Sequence, residues 1–129
     1  MNYVLDTNAY SDMGRKGMWI DIISHAETVY LPAIVIGELK EGFLGGSQQS
    51  HNEMILEQFI SEPMVKACDL TITTAAYYAQ LKTHLKRSGN PIPTNDIWIA
   101  ACVLEHQATL LTRDRHFKYL PQVNVMFES

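Results

Sequence analysis

Apolar and polar positions along this chain fall into short runs of two kinds. Tyr3-Val4-Leu5 is a continuous apolar triplet, the pattern of a strand covered on both faces. Met18 to Ala26 then spaces Trp19, Ile22, Ile23 and Ala26 as one side of a helix. Thr28 to Leu31 reads as a second short strand. Pro32 suits the first turn of a helix that runs through Glu38 to about Leu44. The Gly-rich stretch Gly42 to Ser50 separates this helical pattern from the next. His51 to Ser61 is amphipathic, with Met54, Ile55, Phe59 and Ile60 on its apolar side, and Val65 to Cys68 reads as a strand.

Thr71 to Arg87 carries the longest helical pattern, with Ala75, Tyr78, Ala79, Leu81 and Leu85 as its inner face and Gly89 as its stop. Pro91-Ile92-Pro93 forces an extended turn. Thr94 is the expected N-cap of a helix that bears Asp96 and turns Ile97, Ala100, Ala101 and Leu104 to one face. Leu110-Leu111-Thr112 and Val123 to Phe127 are the last strands. Strands alternating with helices predict an α/β fold: a central, mostly parallel sheet between two helical layers. Crossovers are then right-handed. No repeat, low-complexity tract or linker divides the chain, so residues 1–129 form one domain.

Composition narrows the class. A length of 129 residues, 47% hydrophobic and 19% charged, fits one globular domain. No apolar run approaches the roughly 20 residues of a membrane span. The first residues lack the basic patch and long apolar stretch of a signal peptide, so a cytoplasmic location is expected. Cys68 and Cys102 sit in apolar surroundings and read as buried free thiols. Despite five histidines, no Cys/His spacing fits zinc. The net charge of −4 comes from 14 acidic and 10 basic residues. It looks unfavourable for a nucleic-acid binder.

That balance changes once four acids are set apart. Asp6, Glu38, Asp96 and Asp114 each border an apolar segment, where a carboxylate is costly unless its charge is offset. Removing them leaves 10 acidic against 10 basic residues, and two divalent ions would cancel the −4. Mg²⁺ and Mn²⁺ prefer such hard oxygen ligands. Asp6 ends the first strand and Asp114 follows a later one, so central placement of both strands would bring them to one crevice. Asp96 lies in a helix's first turn, where the macrodipole favours negative charge. Crowded carboxylates repel, so some should stay protonated without metal. Local roles compete with ligation: Asp6 could cap the following turn, Asp96 could stabilise its helix, and Asp114 could be a turn aspartate. Asp12 reads as the solvated end of a first short helix. Trp19, Tyr77, Tyr78, Trp98 and Tyr119 read as packing residues, and none of the histidines shows a partner.

Four local words carry a resemblance. Val4-Leu5-Asp6-Thr7-Asn8 opens the chain, and Gly37-Glu38-Leu39-Lys40-Glu41-Gly42 follows the second strand. Asp96-Ile97-Trp98-Ile99-Ala100-Ala101 begins a late helix, and Leu111-Thr112-Arg113-Asp114-Arg115-His116-Phe117 follows the penultimate strand. In this order and at this length the chain resembles the PIN-domain ribonucleases, above all the small VapC-like toxins of type II toxin–antitoxin modules. The resemblance implies a PIN-like three-layer α/β/α fold and a Mg²⁺- or Mn²⁺-dependent endoribonuclease. Asp6, Glu38, Asp96 and Asp114 would then be the catalytic, metal-holding quartet, with Thr7, Asn8 and Thr112 in supporting polar roles. It also implies an RNA substrate, a homodimer and a cognate antitoxin laid across the acidic crevice. Two other readings stay open at this point: a housekeeping PIN nuclease for RNA or DNA, and a non-catalytic binding module of the same fold. A receiver-type phosphoacceptor domain fits less well, because no acidic pair stands near Asp6.

Overall fold

The apolar runs become strands, and the strand β1 (Asn2–Leu5) takes the middle of the sheet. In the computed structural model, residues 1–128 are described; Ser129, the last residue of the expected domain, lies outside them. Helices α1 (Thr7–Lys16) and α2 (Ile20–Ser24) lead to β2 (Thr28–Pro32), and α3 (Ala33–Leu44) and α4 (Gln49–Ile60) to β3 (Val65–Cys68). Helices α5 (Ile72–Ser88) and α6 (Thr94–Glu105) lead to β4 (Thr109–Thr112). A 3₁₀ turn (Arg115–Tyr119) then precedes β5 (Val125–Phe127). All five strands are parallel, in the order β3-β2-β1-β4-β5.

This order places the site. The chain runs outward from β1 to β2 and β3, then crosses back to lay β4 on the other side of β1. The reversal falls between β1 and β4, where Val4 pairs with Leu110 and Leu5 with Leu111. In an open parallel sheet, the crevice beyond the carboxyl ends of the strands at such a reversal is where ligands bind. Val4, Leu5, Leu110 and Leu111 are wholly buried, as expected for strands covered on both faces. Helix α6 lies against β1 and β4 and buries Ile97, Ile99, Ala100, Ala101, Cys102 and Val103. Nearly its whole circumference is therefore covered, which a single apolar face at 97, 100, 101 and 104 does not anticipate.

Several elements depart from the sequence reading. Pro93, with φ −53° and ψ 141°, occupies the N-cap of α6; Thr94 is the first helical residue and caps nothing. Pro32 likewise ends β2 at the N-cap of α3, not inside its first turn. The fixed φ of proline, joined to an extended ψ, closes a strand or turn and leaves the next residue free to start the helix. Helix α3 continues through Gly42, so the connection to α4 narrows to residues 45–48. Helix α4 buries Leu56 and leaves Met54 and Ile55 exposed. Helix α5 turns Thr74, Leu81 and Leu85 inward and exposes Ala75 and Ala79. The Thr74 hydroxyl tolerates this burial because it donates to Glu105 Oε1 at 2.5 Å. Trp19 is an αL N-cap with φ 69°, so the helix expected from Met18 starts at Ile20. The expected stop at Gly89 is present, with φ 73°.

Candidate metal centre

Asp6 is the first residue beyond β1 and the N-cap of α1. Its Oδ1 accepts the Ala9 N–H at 2.8 Å, and its Oδ2 accepts the Thr112 hydroxyl at 2.5 Å. Capping and site membership, competing readings in the sequence, are here compatible: each oxygen keeps a further lone pair. Thr112 is fully buried at the end of β4, and its hydroxyl oxygen also accepts the Asp114 N–H at 2.9 Å. One hydroxyl thus joins the first acid to the backbone of the fourth.

Helix α1 supplies two more contacts from its first turn. Thr7 donates its hydroxyl to Glu38 Oε1 at 2.7 Å, which fixes a carboxylate carried on the second turn of α3. The Asn8 amide donates to Asp114 Oδ2 at 3.4 Å. The fourth acid, Asp96, projects from the first turn of α6. Its Oδ2 lies 3.1 Å from Nε2 of His116, in the 3₁₀ turn. Among the described residues that nitrogen has no aligned hydrogen-bond partner. Ligand atoms of Asp96, Asp114 and His116 all lie within 4.8 Å of one another.

The electrostatics tie the quartet together. The Asp6 carboxyl is pushed up to about 6, chiefly by burial, with Asp114 and Asp96 adding to the rise while Thr112 and the Ala9 N–H oppose it. Asp96 is also raised, first by burial and then by Asp114 and Glu38, with His116 opposing. The expected mutual repulsion is therefore present, with desolvation as the larger cause. A set of hard carboxylate oxygens, two of them held above their ordinary range, fits a small divalent cation.

The structure thus brings Asp6, Glu38, Asp96 and Asp114 within electrostatic reach of one another beyond the ends of β1 and β4, with Thr7, Asn8 and Thr112 bonded to three of them. Asp6 and Glu38 stand outside the tighter group of Asp96, Asp114 and His116. His116, which showed no partner in the sequence, belongs to the same cluster. Its signal was its position two residues beyond Asp114, which a tight turn folds back on the site. Asp12 is not a solvated helix end: α1 continues to Lys16, and Asp12 within it is 3% exposed. Arg113 Nη1 lies 3.6 Å from its Oδ1. Cys68 and Cys102 are buried free thiols, as expected.

Comparison with known proteins agrees with this geometry. Ribonuclease VapC2 of Rickettsia felis is 28% identical over 129 residues, with 95% of each chain covered. Toxin FitB of Neisseria gonorrhoeae is 34% identical, with 86% of each chain covered. The fold matches a chain of the crystal structure of VapBC2 from Rickettsia felis bound to a promoter DNA fragment, with a TM-score of 0.88, 26% identity and full coverage of both chains. The FitAcB structure from Neisseria gonorrhoeae gives 0.78 at 27% identity, covering 98% of this chain and 96% of that one. Residues 3–122 match the PIN domain, and the chain belongs to that family.

Proposed function

We propose that this chain is a divalent-metal-dependent endoribonuclease of the VapC toxin type, restrained by a cognate antitoxin. The observation that carries the reading is the convergence of Asp6, Glu38, Asp96 and Asp114 at the β1/β4 reversal. Relatives named as ribonucleases and a toxin, and similar structures from VapBC and FitAB complexes, support the same reading. The four acids would hold Mg²⁺ or Mn²⁺, with His116 as a further donor beside Asp96 and Asp114. When bound, such an ion supplies Lewis acidity and acidifies a coordinated water.

The chain's own residues do the positioning. Thr112 holds Asp6 and the Asp114 backbone in one register, Thr7 aims Glu38, and Asn8 aims Asp114. Attack by water on the RNA phosphodiester, with the P–O3′ bond breaking and the 3′ oxygen leaving as a hydroxyl, would give a 5′-phosphate and a 3′-hydroxyl. An antitoxin segment crossing the crevice would compete with metal by placing a cation among the acids. The open apolar cavity of about 310 Å³ between α1, α3 and α4, lined by Tyr10, Met13, Leu39, Phe43, Ile55 and Phe59, offers that segment an anchor. The active unit in this reading is a homodimer.

Two measurements test the proposal. RNA 5′ ends are mapped after induction with and without the neighbouring candidate antitoxin gene, and purified protein is assayed with Mg²⁺, Mn²⁺ or EDTA. Cleavage should need metal, stop with the antitoxin, and vanish in Asp6→Asn and Asp96→Asn variants that still fold. Undiminished cleavage by both variants would remove the quartet from the mechanism.

A further inference from the structure

Asp12 lies one helical turn beyond Asn8 on α1, so both side chains leave the same face. They meet adjacent residues of the turn after β4: Asn8 reaches Asp114 at 3.4 Å, and Asp12 faces Arg113 at 3.6 Å. Asp12 is almost fully buried, and among the described residues its Oδ2 has no hydrogen-bond partner. Among the described residues its Oδ1 is met only by two half-exposed cations, Arg113 and, at 3.9 Å, Lys16. A buried carboxylate met this way is costly to keep, and an apolar residue would pack there more favourably.

The same turn is tied from its other side. Lys16 also lies 3.9 Å from Glu128 Oε1, and the Glu128 N–H donates to the Thr112 carbonyl at 3.1 Å. Arg113 stands between Thr112, which donates to Asp6, and Asp114. Drawing the guanidinium toward α1 therefore sets the path of the chain through the two residues that bracket it. We propose that Asp12 is a positioning residue for the acidic site: through Arg113 it holds the turn in the register that aims Asp114 at Asp96. This inference rests on the metal-binding reading above.

The test is a Mn²⁺ titration by calorimetry, with melting temperatures and RNA cleavage, on wild type, Asp12→Asn, Asp12→Glu, Arg113→Gln and Asp12→Asn/Arg113→Gln. Loss of a group that orients a ligand typically weakens metal binding 10- to 100-fold. Asp12→Asn and Arg113→Gln should each weaken Mn²⁺ binding by about tenfold. The double variant should lose no more than either single one, since the two act as a unit. Asp12→Glu should recover most of the affinity. In Asp12→Asn, kcat should fall while KM for RNA stays near wild type. Arg113 is exposed, so its replacement folds even if that of Asp12 does not. A Mn²⁺ titration unchanged in Asp12→Asn and Arg113→Gln, whatever happens to Tm, overturns the inference, as do additive losses. Wild-type Mn²⁺ binding that survives Asp96→Asn instead overturns the metal-binding reading itself.

Discussion

Asp6 concentrates the chemistry of the site at one residue. Its carboxyl ionises near 3.8 in the unfolded chain and near about 6 in the folded one. Between those values the native state binds more protons, so metal-free stability falls as pH rises from about 4 to about 6 and stays low above that. A rise of about two pH units corresponds to at most about 3 kcal/mol. Asp6→Asn keeps a side-chain oxygen for the Ala9 N–H and carries no charge. It should therefore raise the Tm of metal-free protein at pH 7.5 while leaving it unchanged at pH 4. A lower Tm at pH 7.5 would show that the buried charge is not a liability. Because ligation needs the carboxylate, Mn²⁺ affinity should climb as pH rises through about 6, a trend read directly by titration at several pH values. Thr112→Val removes the donor to Asp6 Oδ2 and the acceptor of the Asp114 N–H together. It should cost roughly 1–3 kcal/mol in denaturant unfolding and shift the rise in metal affinity to higher pH.

At the scale of elements, the α5–α6 pair is held by a polar clasp remote from the acids. Thr71 and Thr74 form a capping box at the start of α5, and both hydroxyls donate to Glu105 near the end of α6. Thr74→Ala should cost about 1–2 kcal/mol in stability and leave the kcat for RNA cleavage unchanged, measured well below Tm. Strands and the longest helices were legible because Tyr3-Val4-Leu5, Leu110-Leu111 and the Gly89 stop are dictated locally. The acids were legible because each borders such an element. What was hidden depended on distant partners. Helix α1 mixes Asn8, Ser11, Asp12, Arg15 and Lys16 with few apolar residues, so periodicity marks it poorly. Asp12 meets its charged neighbour Arg113 from about a hundred residues away. The orientation of α5 depends on Glu105, which lets a threonine face inward where alanines were expected. His116 joined the site only through the 3₁₀ turn that follows Asp114.

At the scale of the whole molecule, the −4 charge is unevenly placed, with four acids gathered at one end of the sheet. A divalent ion held there, as the proposed function requires, would stabilise the native state alone. At a hundredfold excess over Kd, Mn²⁺ should add about 2.7 kcal/mol of stability, seen as a Tm increase that EDTA reverses. Asp6→Asn should show no such increase.

The hydrogen bond between Asp6 and Thr112 spans 106 residues. As the polypeptide emerges from the ribosome, the middle strand and its carboxylate come out well before β4, the neighbour that completes them. Until β4 has been made, Asp6 has neither its hydroxyl donor nor the turn bearing Asp114 and His116. In the metal-site reading, a translation product broken off before β4 lacks the full set of acids and should be inert.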